Sequence, residues 1–387
     1  METEDRVIVV GAGIGGLASA NALQAAGIPA LVLERAAELR EIGAAIGVQT
    51  NAVRALRRVG LAEELIARGV PIEFYEYLSW AGRRLARWPQ GEIGRRLGEP
   101  TVVVHRADLQ EVLLSGLAPG VVRLGATCES YAEDATGVTV RLTTGEDVRG
   151  RFLIAADGLR STVRPRLVGP DPLRYSGWAA YRGIAHFADG RFPLGYARQI
   201  LGAGRSFGMW HIRDGRVYWV ATVRQPADST ADQAGRRAYI LDGFRGAPAP
   251  VADLVEKTDE AAILRNEVYD RAPVTSWGTA RVVLLGDAAH PTTPVTGQGG
   301  GQAIIDGSVL VAELATSGLT DTERLHAALR GYERRRMPVT TGITNEAWRI
   351  AAMHHLVNPI AVRGRDLSLR LTPARVWNKR MEARLGF

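Results

Sequence analysis

VIVVGAGIGGLASANAL, residues 7–23, decides the fold, because an apolar, β-branched run leads through a glycine-rich turn into a helix. A continuous apolar run of this kind predicts a buried parallel strand. The turn matches G-x-G-x-x-G: Gly11 makes the tight turn, Gly13 lets the backbone approach a pyrophosphate, and Gly16 permits close helix–strand packing. The free N–H groups at the helix start, together with the helix dipole, favour phosphate. We therefore predict a dinucleotide site in this turn.

The second strand of the same βαβ unit ends in a carboxylate. ALVLE, residues 30–34, is again a buried strand, and its last residue is Glu34. A carboxylate at this point accepts a hydrogen bond from a ribose 2′-hydroxyl and repels a 2′-phosphate. The unit thus predicts FAD or NAD in preference to NADP, without separating the first two. The alternative is a glycine-rich turn that holds no ligand.

A second glycine-rich signature, RVVLLGDAAHPTTPVTGQGGGQAIIDG, occupies residues 281–307. Asp287 follows a buried strand at its carboxyl end, where ligands bind in such sheets, and can accept hydrogen bonds from a ribityl chain. Residues 297–301, GQGGG, then open a helix; their backbone can lie against a flat ring, and their N–H groups can stabilise negative charge on a reduced flavin. The alternative is a capped helix after a loop. The two signatures together predict that one large cofactor, FAD, is held at both ends.

Length and composition bound the remaining possibilities. A chain of 387 residues exceeds a typical single core, so two lobes are expected. No run approaches 18 consecutive apolar residues, which argues against a membrane span, and METEDRVIVV lacks the order of a signal peptide. Cys128 is the single cysteine and cannot form an internal disulfide, which fits a reducing cytoplasm. The cytoplasm is therefore the predicted location.

The net charge of +7 does not predict nucleic-acid binding. Only Lys257 and Lys379 are lysines among the 48 basic residues, and the arginines are dispersed rather than gathered into a stripe. Neither nucleic acid nor a membrane is predicted as a partner. The seven histidines show no ligand spacing with Cys or carboxylates, so no metal site is predicted either.

The predicted fold class is α/β, with a Rossmann-type, glutathione-reductase-like FAD-binding domain, an antiparallel β-sheet substrate domain and C-terminal helices. The stretch 175–224 alternates and is rich in aromatic residues, and Asp214-Gly215 is a strong hairpin signal. Residues 227–265 are predicted to be largely helical. The predicted division assigns 1–70, 100–170 and 275–344 to a discontinuous FAD-binding domain, 71–99 and 171–274 to the substrate domain, and 345–387 to a C-terminal helical segment.

The order of four motifs resembles a known family. VVGAGIGGL with Glu34-Arg35, then HRADL with Arg106, then IAADGLRSTVR with Asp157-Gly158, then GDAAHPTTPVTGQG are similar to the single-component FAD-dependent aromatic hydroxylases. These are the p-hydroxybenzoate hydroxylase-like monooxygenases, and the salicylate and 3-hydroxybenzoate 6-hydroxylase branch is the most similar. The resemblance spans essentially the whole chain and is specific for fold and cofactor but not for substrate.

The resemblance implies roles for particular residues. Arg106 is similar to a family arginine near the flavin and phosphates, Asp157 to the DG motif beside the pyrophosphate, and Ala45-Ile46 to the loop along the isoalloxazine. The alternative for Arg106 is a salt bridge at the start of a helix, and the alternative for Asp157 is a simple turn. Gly300-Gly301 departs from the family pattern, and Val295 stands where urate hydroxylases carry Asp, which makes a polar purine a poor fit. The full set predicted to bind FAD is Gly11, Gly13, Gly16, Glu34, Arg35, Ala45, Ile46, Arg106, Asp157, Asp287, Pro294, Gly297, Gly299 and Gly300.

The implied reaction uses NAD(P)H as a transient cosubstrate and O2 to hydroxylate a small phenolic or polycyclic aromatic molecule through a flavin C4a-hydroperoxide. The pocket must stay dry, orient the ring and favour phenolate-like charge. His211 and Arg205 are the candidates for the last task, with a packed histidine and a strand-edge charge as the alternatives. The predicted pocket walls are Tyr181, Trp210, Trp219, Pro294 and Val295.

Other activities stay open at this point. The same oxygenating chemistry would make an epoxidase, and a flavin oxidoreductase that inserts no oxygen, or a non-catalytic flavoprotein, would carry the same cofactor motifs. The protein is predicted to be a monomer or a homodimer.

Overall fold

The computed structural model describes residues 5–39, 45–317 and 321–386, so the outermost predicted domain limits, residues 1 and 387, lie outside the described residues. The strands are β1 (Val7–Val10), β2 (Ala30–Leu33), β3 (Ala45–Val48), β4 (Val70–Pro71), β5 (Phe74–Ser79), β6 (Arg84–Trp88), β7 (Val102–His105), β8 (Val122–Arg123), β9 (Cys128–Glu133), β10 (Val138–Leu142), β11 (Asp147–Gly150), β12 (Phe152–Ala155), β13 (Arg174–His186), β14 (Tyr196–Leu201), β15 (Arg205–Ile212), β16 (Arg216–Arg224), β17 (Leu264–Asp270) and β18 (Val282–Leu284).

Helices lie between the strands along the chain and form its C-terminal part. They are α1 (Ile14–Ala25), α2 (Thr50–Arg57), α3 (Ala62–Arg68), α4 (Gln90–Leu97), α5 (Arg106–Ser115), α6 (Arg164–Val168), α7 (Arg236–Gly243), α8 (Val251–Glu256), α9 (Gly299–Ser317), α10 (Thr322–His354), α11 (Pro359–Leu371) and α12 (Ala374–Leu385). Within the described ranges, every helix is too short or too polar to span a bilayer.

A five-stranded parallel sheet, in the order β18-β12-β1-β2-β8, forms the centre of the nucleotide-binding half. The runs VIVV of β1 and FLIA of β12 are buried at every position. Such strands need cover on both faces, and α1 and α9 pack against each other on one of them. Gly307 makes that contact close, because a Cβ there would lie 2.8 Å from Ser19 Oγ. The predicted Rossmann-type arrangement is confirmed.

A seven-stranded sheet, in the order β17-β13-β16-β15-β14-β5-β6, forms the second half. The hairpin predicted at Asp214-Gly215 is confirmed: both residues have φ near +65° and join β15 to β16. The predicted antiparallel sheet is confirmed with one difference, because β5 runs parallel to β14. The prediction that residues 227–265 are largely helical is only partly right, since just α7, α8 and a short 3₁₀ turn at Glu260–Ala262 are helical there.

Both faces of the seven-stranded sheet are covered, by different elements. On the outer face, Phe207, Met209 and Trp219 pack with residues of α7 and α8. On the inner face, Tyr218 packs near Val103 of β7 and Ala45 of β3, at the nucleotide-binding half. Any pocket between the two halves must therefore be lined by inner-face residues.

The 33-residue helix α10 links the two halves of the molecule. Arg336 Nε donates to Asp306 Oδ1 of α9 at 2.6 Å. Farther along, Trp348 Nε1 donates to Asp270 Oδ2 at the end of β17, also at 2.6 Å. Asp270 is fully buried and also pairs with Arg174 of β13. One helix is thus anchored on both sides of the predicted pocket.

Candidate functional site

The first glycine turn has the backbone shape that its motif predicts. Gly11 has φ +100°, and a Cβ there would lie 2.5 Å from the carbonyl oxygen of Ala156. A Cβ at Gly16 would overlap the Gly11 carbonyl oxygen, so both glycines are required by the protein's own packing. A Cβ at Gly13 would meet no atom within 4 Å. The open side of the turn therefore lies at Gly13, where a pyrophosphate can approach.

Glu34 braces this turn. Its Oε2 accepts from the Ala12 N–H at 2.7 Å, and its Oε1 accepts from the Ala36 N–H at 2.9 Å. The half-buried carboxylate keeps lone pairs that can accept from a ribose hydroxyl. The neighbouring Arg35 is exposed at the rim of the turn.

Asp157 stands directly beside the glycine turn. A Cβ at Gly11 would lie 3.1 Å from the Asp157 Cα, and Asp157 Oδ2 accepts from the Thr162 N–H at 2.7 Å. Burial raises the pKa of Asp157 above its ordinary value. The predicted juxtaposition of the two motifs is therefore present in the fold.

The second glycine signature brings three predicted segments together. A Cβ at Gly300 would lie 2.5 Å from Ile46 Cδ1, and one at Gly299 would lie 3.8 Å from Asp287 Oδ1. Gly297 has φ +61° and ends the short turn Pro294–Thr296. Ala45 packs beneath the seven-stranded sheet, among the residues near Val103. The start of α9, β3 and the inner face of the sheet thus meet in one region, which we call the bay.

Asp287 opens into this bay. Its side chain is accessible, yet the surrounding protein desolvates it enough to raise its pKa above the ordinary value. His290 and, less strongly, Arg106 act in the opposite direction and partly offset this rise in the pKa of Asp287. Burial raises the pKa of Tyr218 on the inner face of the sheet, and the positive charges of Arg182 and Arg106 partly oppose that rise. Arg106 and Asp287, each predicted separately to bind FAD, therefore both border the bay.

Buried polar groups around the bay fit a polar cofactor. Among the described residues, several buried side-chain atoms here have no hydrogen-bond partner in the protein, which is costly unless a ligand supplies one. They are Gln49 Oε1, Thr292 Oγ1, Thr293 Oγ1, Thr296 Oγ1 and Gln298 Nε2. Hydroxyl and amide groups of this kind match the polar edge and ribityl hydroxyls of FAD. The residues present fit the predicted cofactor.

A buried charged cluster that the sequence analysis missed holds the GD turn in place. Asp306 is fully buried; its Oδ2 accepts from the Gly286 N–H at 3.0 Å and from His290 Nε2 at 2.6 Å. Its Oδ1 accepts from Arg336, and the field of His290 and Arg336 lowers the pKa of Asp306 to about 2 despite burial. The spacing between Asp306 and Arg336 gave no signal that they pair.

Four residues predicted for the pocket lie on the wrong face of the sheet. His211 Nε2 donates to the Phe192 carbonyl at 2.9 Å, and its ring stacks on Phe192. Trp219 Nε1 donates to Thr258 Oγ1 at 2.9 Å, Tyr181 packs against Tyr239, and Arg205 donates to the Gly243 carbonyl. All of these partners belong to the outer side, with α7 and α8. The prediction that His211 and Arg205 are catalytic and that Tyr181 and Trp219 line the pocket is therefore wrong.

The inner face instead presents the residues that alternate with them. Trp210 and Tyr218 pack near β3 and β7, and Val295 packs with Trp178 and Val220. Trp210, Pro294 and Val295 were predicted pocket residues and border the space between the sheet and the bay. Trp178, Tyr218 and Val220 were missed, although their alternation with Tyr181 and Trp219 was the available signal.

A directed chain of hydrogen bonds runs across the inner face to α10. His355 Nδ1 donates to the Ala351 carbonyl at 2.9 Å, so its Nε2 accepts from Thr222 Oγ1, also at 2.9 Å. Thr222 in turn accepts from Ser206 Oγ at 2.8 Å, and Ser206 accepts from Gln199 Nε2 at 2.9 Å. All four side chains are buried. This network fixes the orientation of the Gln199 amide over Gly208.

We expect the free energy of unfolding to fall as pH decreases from about 6.5 to about 4. Burial lowers the pKa of His355 to about 4 and that of His354 to about 3. In this window the unfolded histidines take up protons that the folded ones do not, so acid favours unfolding. Urea unfolding at pH about 5 and about 7.5 measures the difference. His355→Gln should reduce the change in unfolding free energy between the two pH values, whereas the exposed His186→Gln should not. An equal change in the wild type and both variants would show that His355 does not cause the pH dependence.

Comparison with known proteins gives consistent matches over nearly the full chain. The family model described as "FAD binding domain" matches residues 4–347. Aurachin C monooxygenase/isomerase from Stigmatella aurantiaca is 35% identical over 371 residues, which cover 96% of this chain and 95% of the relative. A 3-amino-4-hydroxybenzoate 2-monooxygenase from Streptomyces cremeus is 35% identical over 381 residues, 96% of this chain and 93% of the relative.

A solved structure matches the whole architecture. The crystal structure of HpxO from Klebsiella pneumoniae, complexed with FAD and uric acid, superposes with a TM-score of 0.92 at 30% identity. The match covers 98% of this chain and 96% of that one.

Proposed function

Because this chain belongs to the family of FAD-dependent aromatic hydroxylases with the FAD-binding domain, we propose that it is a monooxygenase that uses NAD(P)H and O2 to hydroxylate a small aromatic molecule. FAD is its cofactor. When bound, FAD takes electrons from NAD(P)H and activates O2 for insertion into the substrate. The residues of this chain bind the cofactor, orient the substrate and keep water out.

The observation that carries the proposal is the bay between the two halves. The turn at Gly13 is open for a pyrophosphate, while about the GD turn and the GQGGG segment buried threonine and glutamine side chains lack partners. These features adjoin, because a Cβ at Gly300 would lie 3.6 Å from Ile14 Cδ1 at the start of α1, so one extended cofactor can reach both. We propose that Gly11, Gly13, Gly16, Glu34, Arg35 and Asp157 serve the adenosine and pyrophosphate end. The flavin end would be served by Ala45, Ile46, Arg106, Asp287, Pro294, Gly297, Gly299 and Gly300.

The proposed substrate chamber is mostly apolar and aromatic. Trp178, Tyr218 and Val220 on the sheet face Val295 across from the flavin bay. Such walls exclude water and suit a flat, apolar ring. Gln199, fixed by its bond to Ser206, is the inner-face amide that can meet a polar substituent on that ring. Arg182, whose charge partly opposes the rise that burial causes in the pKa of Tyr218, adds positive charge that favours an electron-rich, phenolate-like ring.

This lining supports an apolar aromatic substrate over a purine. Val295 packs in an apolar cluster with Trp178 and Val220, whereas a purine carries polar atoms around its edge that would need partners. The FAD-dependent urate hydroxylase of Klebsiella pneumoniae shares 34% identity over 333 residues. Urate is therefore the compound to test as one that this protein should not accept as a substrate.

Val295→Trp is expected to lower kcat/KM for an accepted substrate at least about tenfold, because the larger ring fills the chamber. FAD content should stay unchanged, since the substituted side chain points at the sheet. Steady-state NAD(P)H oxidation, stimulated by substrate, measures the effect.

Two variants on the outer face provide the matched controls. His211→Gln and Arg205→Gln should leave kcat/KM within about twofold of the wild type, because those side chains face α7 and α8. If these variants lose activity while Val295→Trp keeps it, the chamber has been assigned to the wrong face.

Labelled oxygen separates oxygenation from other flavin chemistry. A panel of phenols, hydroxybenzoates and larger aromatics is first screened for compounds that accelerate NAD(P)H oxidation. The product of the best compound, formed under ¹⁸O2, should gain one labelled oxygen atom. A product of unchanged mass would favour an oxidoreductase that inserts no oxygen, and oxygen added across an alkene would favour an epoxidase.

We propose no partner beyond this small molecule for the reaction itself, with a monomer or homodimer as the active form. The lone Cys128 is buried, and burial raises the pKa of its thiol to about 11. A cytoplasmic location is proposed because that composition needs no oxidising compartment. The division into a FAD-binding part (1–70, 100–170, 275–344), a substrate part (71–99, 171–274) and a C-terminal segment (345–387) is likewise proposed, supported by the separate sheets.

A further inference from the structure

The C-terminal segment concentrates exposed apolar surface. Six large apolar side chains are exposed in the part of the chain that the structure describes, and four of them lie in residues 357–371. They are Val357 at 53% exposed, Ile360 at 78%, Leu367 at 56% and Leu371 at 69%. A cluster of this kind marks an interaction surface more often than scattered single residues do.

Three of these side chains form one stripe along α11. Ile360, Leu367 and Leu371 follow the i, i+7, i+11 spacing of one helix face, with the exposed Gly364 between them. The opposite face of α11 is buried through Leu369, which packs near Trp377 and Leu201, and through Arg365, which donates to the Gly202 carbonyl. The helix is therefore held firmly against the protein while its apolar stripe faces outward.

The same segment carries most of the net charge of the chain. Residues 357–386 contain seven arginines and lysines and two acidic residues, a net of +5 within the +7 of the whole chain. Arg363 and Arg370 are exposed on the flank of the stripe, and Arg375 and Lys379 are exposed on α12. Within the described ranges, none of these four forms an ion pair.

A groove beside α11 adds to this positive surface. It has a volume of about 580 Å³ and lies between β6 and α12, with Arg84 and Arg370 among its lining residues. Its size and charge suit a phosphate-bearing headgroup. An apolar stripe bordered by unpaired arginines has the composition of a helix that lies in a membrane interface.

We propose that α11 docks this protein on an anionic membrane surface, with Ile360, Leu367 and Leu371 among the acyl chains and Arg363 and Arg370 at the headgroups. Charge decides between this surface and a second copy of the chain. In a dimer joined through the stripe, two segments that each carry a net charge of +5 would face and repel each other. Anionic lipids instead neutralise each basic side chain that reaches them. No membrane partner is predicted from the sequence, but attachment of α11 to a membrane surface requires no spanning segment.

Flotation of the FAD-loaded full chain with vesicles tests the proposal. Phosphatidylcholine vesicles containing phosphatidylglycerol should carry the protein upward at low salt, and pure phosphatidylcholine vesicles should carry much less. About 0.5 M NaCl should weaken the binding, because salt screens the arginines. The double variant Ile360→Ser/Leu371→Ser should lower the vesicle-bound fraction at least about tenfold, since it removes inserted apolar surface. Arg363→Gln/Arg370→Gln should lower the partition coefficient of the protein between vesicles and water about tenfold or more, because two basic side chains at the headgroups are lost.

Matched controls come from the same molecule. Leu194→Ser removes an equally exposed leucine outside the segment, and Arg213→Gln removes an exposed arginine at the β15–β16 hairpin; neither should change flotation. Absence of binding to phosphatidylglycerol vesicles would overturn the proposal. So would a dimer in sedimentation velocity that Ile360→Ser/Leu371→Ser dissociates, because the stripe would then belong to a second copy. The flavin absorbance of each variant shows that it is folded, and neither result depends on the proposed reaction.

Discussion

Asp306→Asn is expected to destabilise the protein by about 3–5 kcal/mol and to weaken FAD binding. The carboxylate is fully buried and accepts hydrogen bonds from the Gly286 N–H, from His290 and from Arg336. The amide keeps the shape of the side chain but leaves the buried guanidinium of Arg336 without its counter-charge. It also cannot accept from three donors in the same geometry, so the turn that presents Asp287 loses its support.

Urea unfolding of the FAD-free and FAD-loaded forms measures both effects. The exposed Asp242→Asn, which breaks a surface ion pair with Arg245, is the control and should cost at most about 1 kcal/mol. Adding Arg336→Met to Asp306→Asn should recover part of the lost stability, because the uncompensated charge is removed. If Asp306→Asn alone stays within about 1 kcal/mol of the wild type, the cluster does not support the turn.

Gly16→Ala and Gly13→Ala are expected to fail for different reasons. A methyl group at Gly16 overlaps the Gly11 carbonyl oxygen, so the backbone must shift and the FAD-free protein should lose about 3 kcal/mol of stability. A methyl group at Gly13 meets no protein atom within 4 Å, and its φ of −71° suits alanine. The FAD-free Gly13→Ala protein should therefore unfold within about 1 kcal/mol of the wild type.

The effect of Gly13→Ala should appear only when the cofactor is present. The added methyl group occupies the path of the pyrophosphate, so FAD affinity should drop at least about tenfold, or about 1.4 kcal/mol. Titration of the FAD-free protein followed by flavin fluorescence measures it. Gly190→Ala, at another open and exposed glycine, serves as the control. Unchanged FAD affinity in Gly13→Ala would show that the pyrophosphate does not pass this turn.

The cofactor half could be predicted from the sequence because its signals are local. Gly11, Gly16 and Glu34 occupy fixed positions in one βαβ unit, and the structure places them in contact through the Ala12 N–H and the Gly11 carbonyl. Asp287, Gly299 and Gly300 all belong to the segment that follows β18, whereas Ile46 lies in a separate three-stranded sheet and was expected there only from the family resemblance.

The substrate side could not be predicted to the same depth, because both sets of alternating side chains on these strands are apolar or aromatic. Trp178 to Tyr181 in β13 are all buried, since α7 and α8 cover one face and the nucleotide-binding half covers the other. With both faces apolar, the pattern does not show which set of residues faces the cofactor. Tyr181 and Trp219 were therefore predicted to line the pocket in place of their neighbours Trp178, Tyr218 and Val220.

The pairing of polar side chains that are far apart in the chain could not be predicted from the sequence either. Asp306 with Arg336, and Asp270 with Trp348, join residues from separate elements. Charged side chains are usually exposed, so nothing in their local pattern indicated that these would be buried. Likewise, Thr222 and His355 meet only after α10 has folded back over the sheet.

The double anchoring of α10 has a consequence for recombining this protein with its relatives. At 1.5 Å per residue its 33 residues extend about 50 Å, and Pro338 lies near the middle. A chimera that imports only the seven-stranded sheet would separate Asp270 from Trp348 and Trp178 from the His355 ring that stacks on it. Crossover points should instead fall near Pro338, so that the foreign sheet arrives with the C-terminal half of the helix that fits it. Chimeras joined this way should express as folded protein more often than those joined at the sheet boundary.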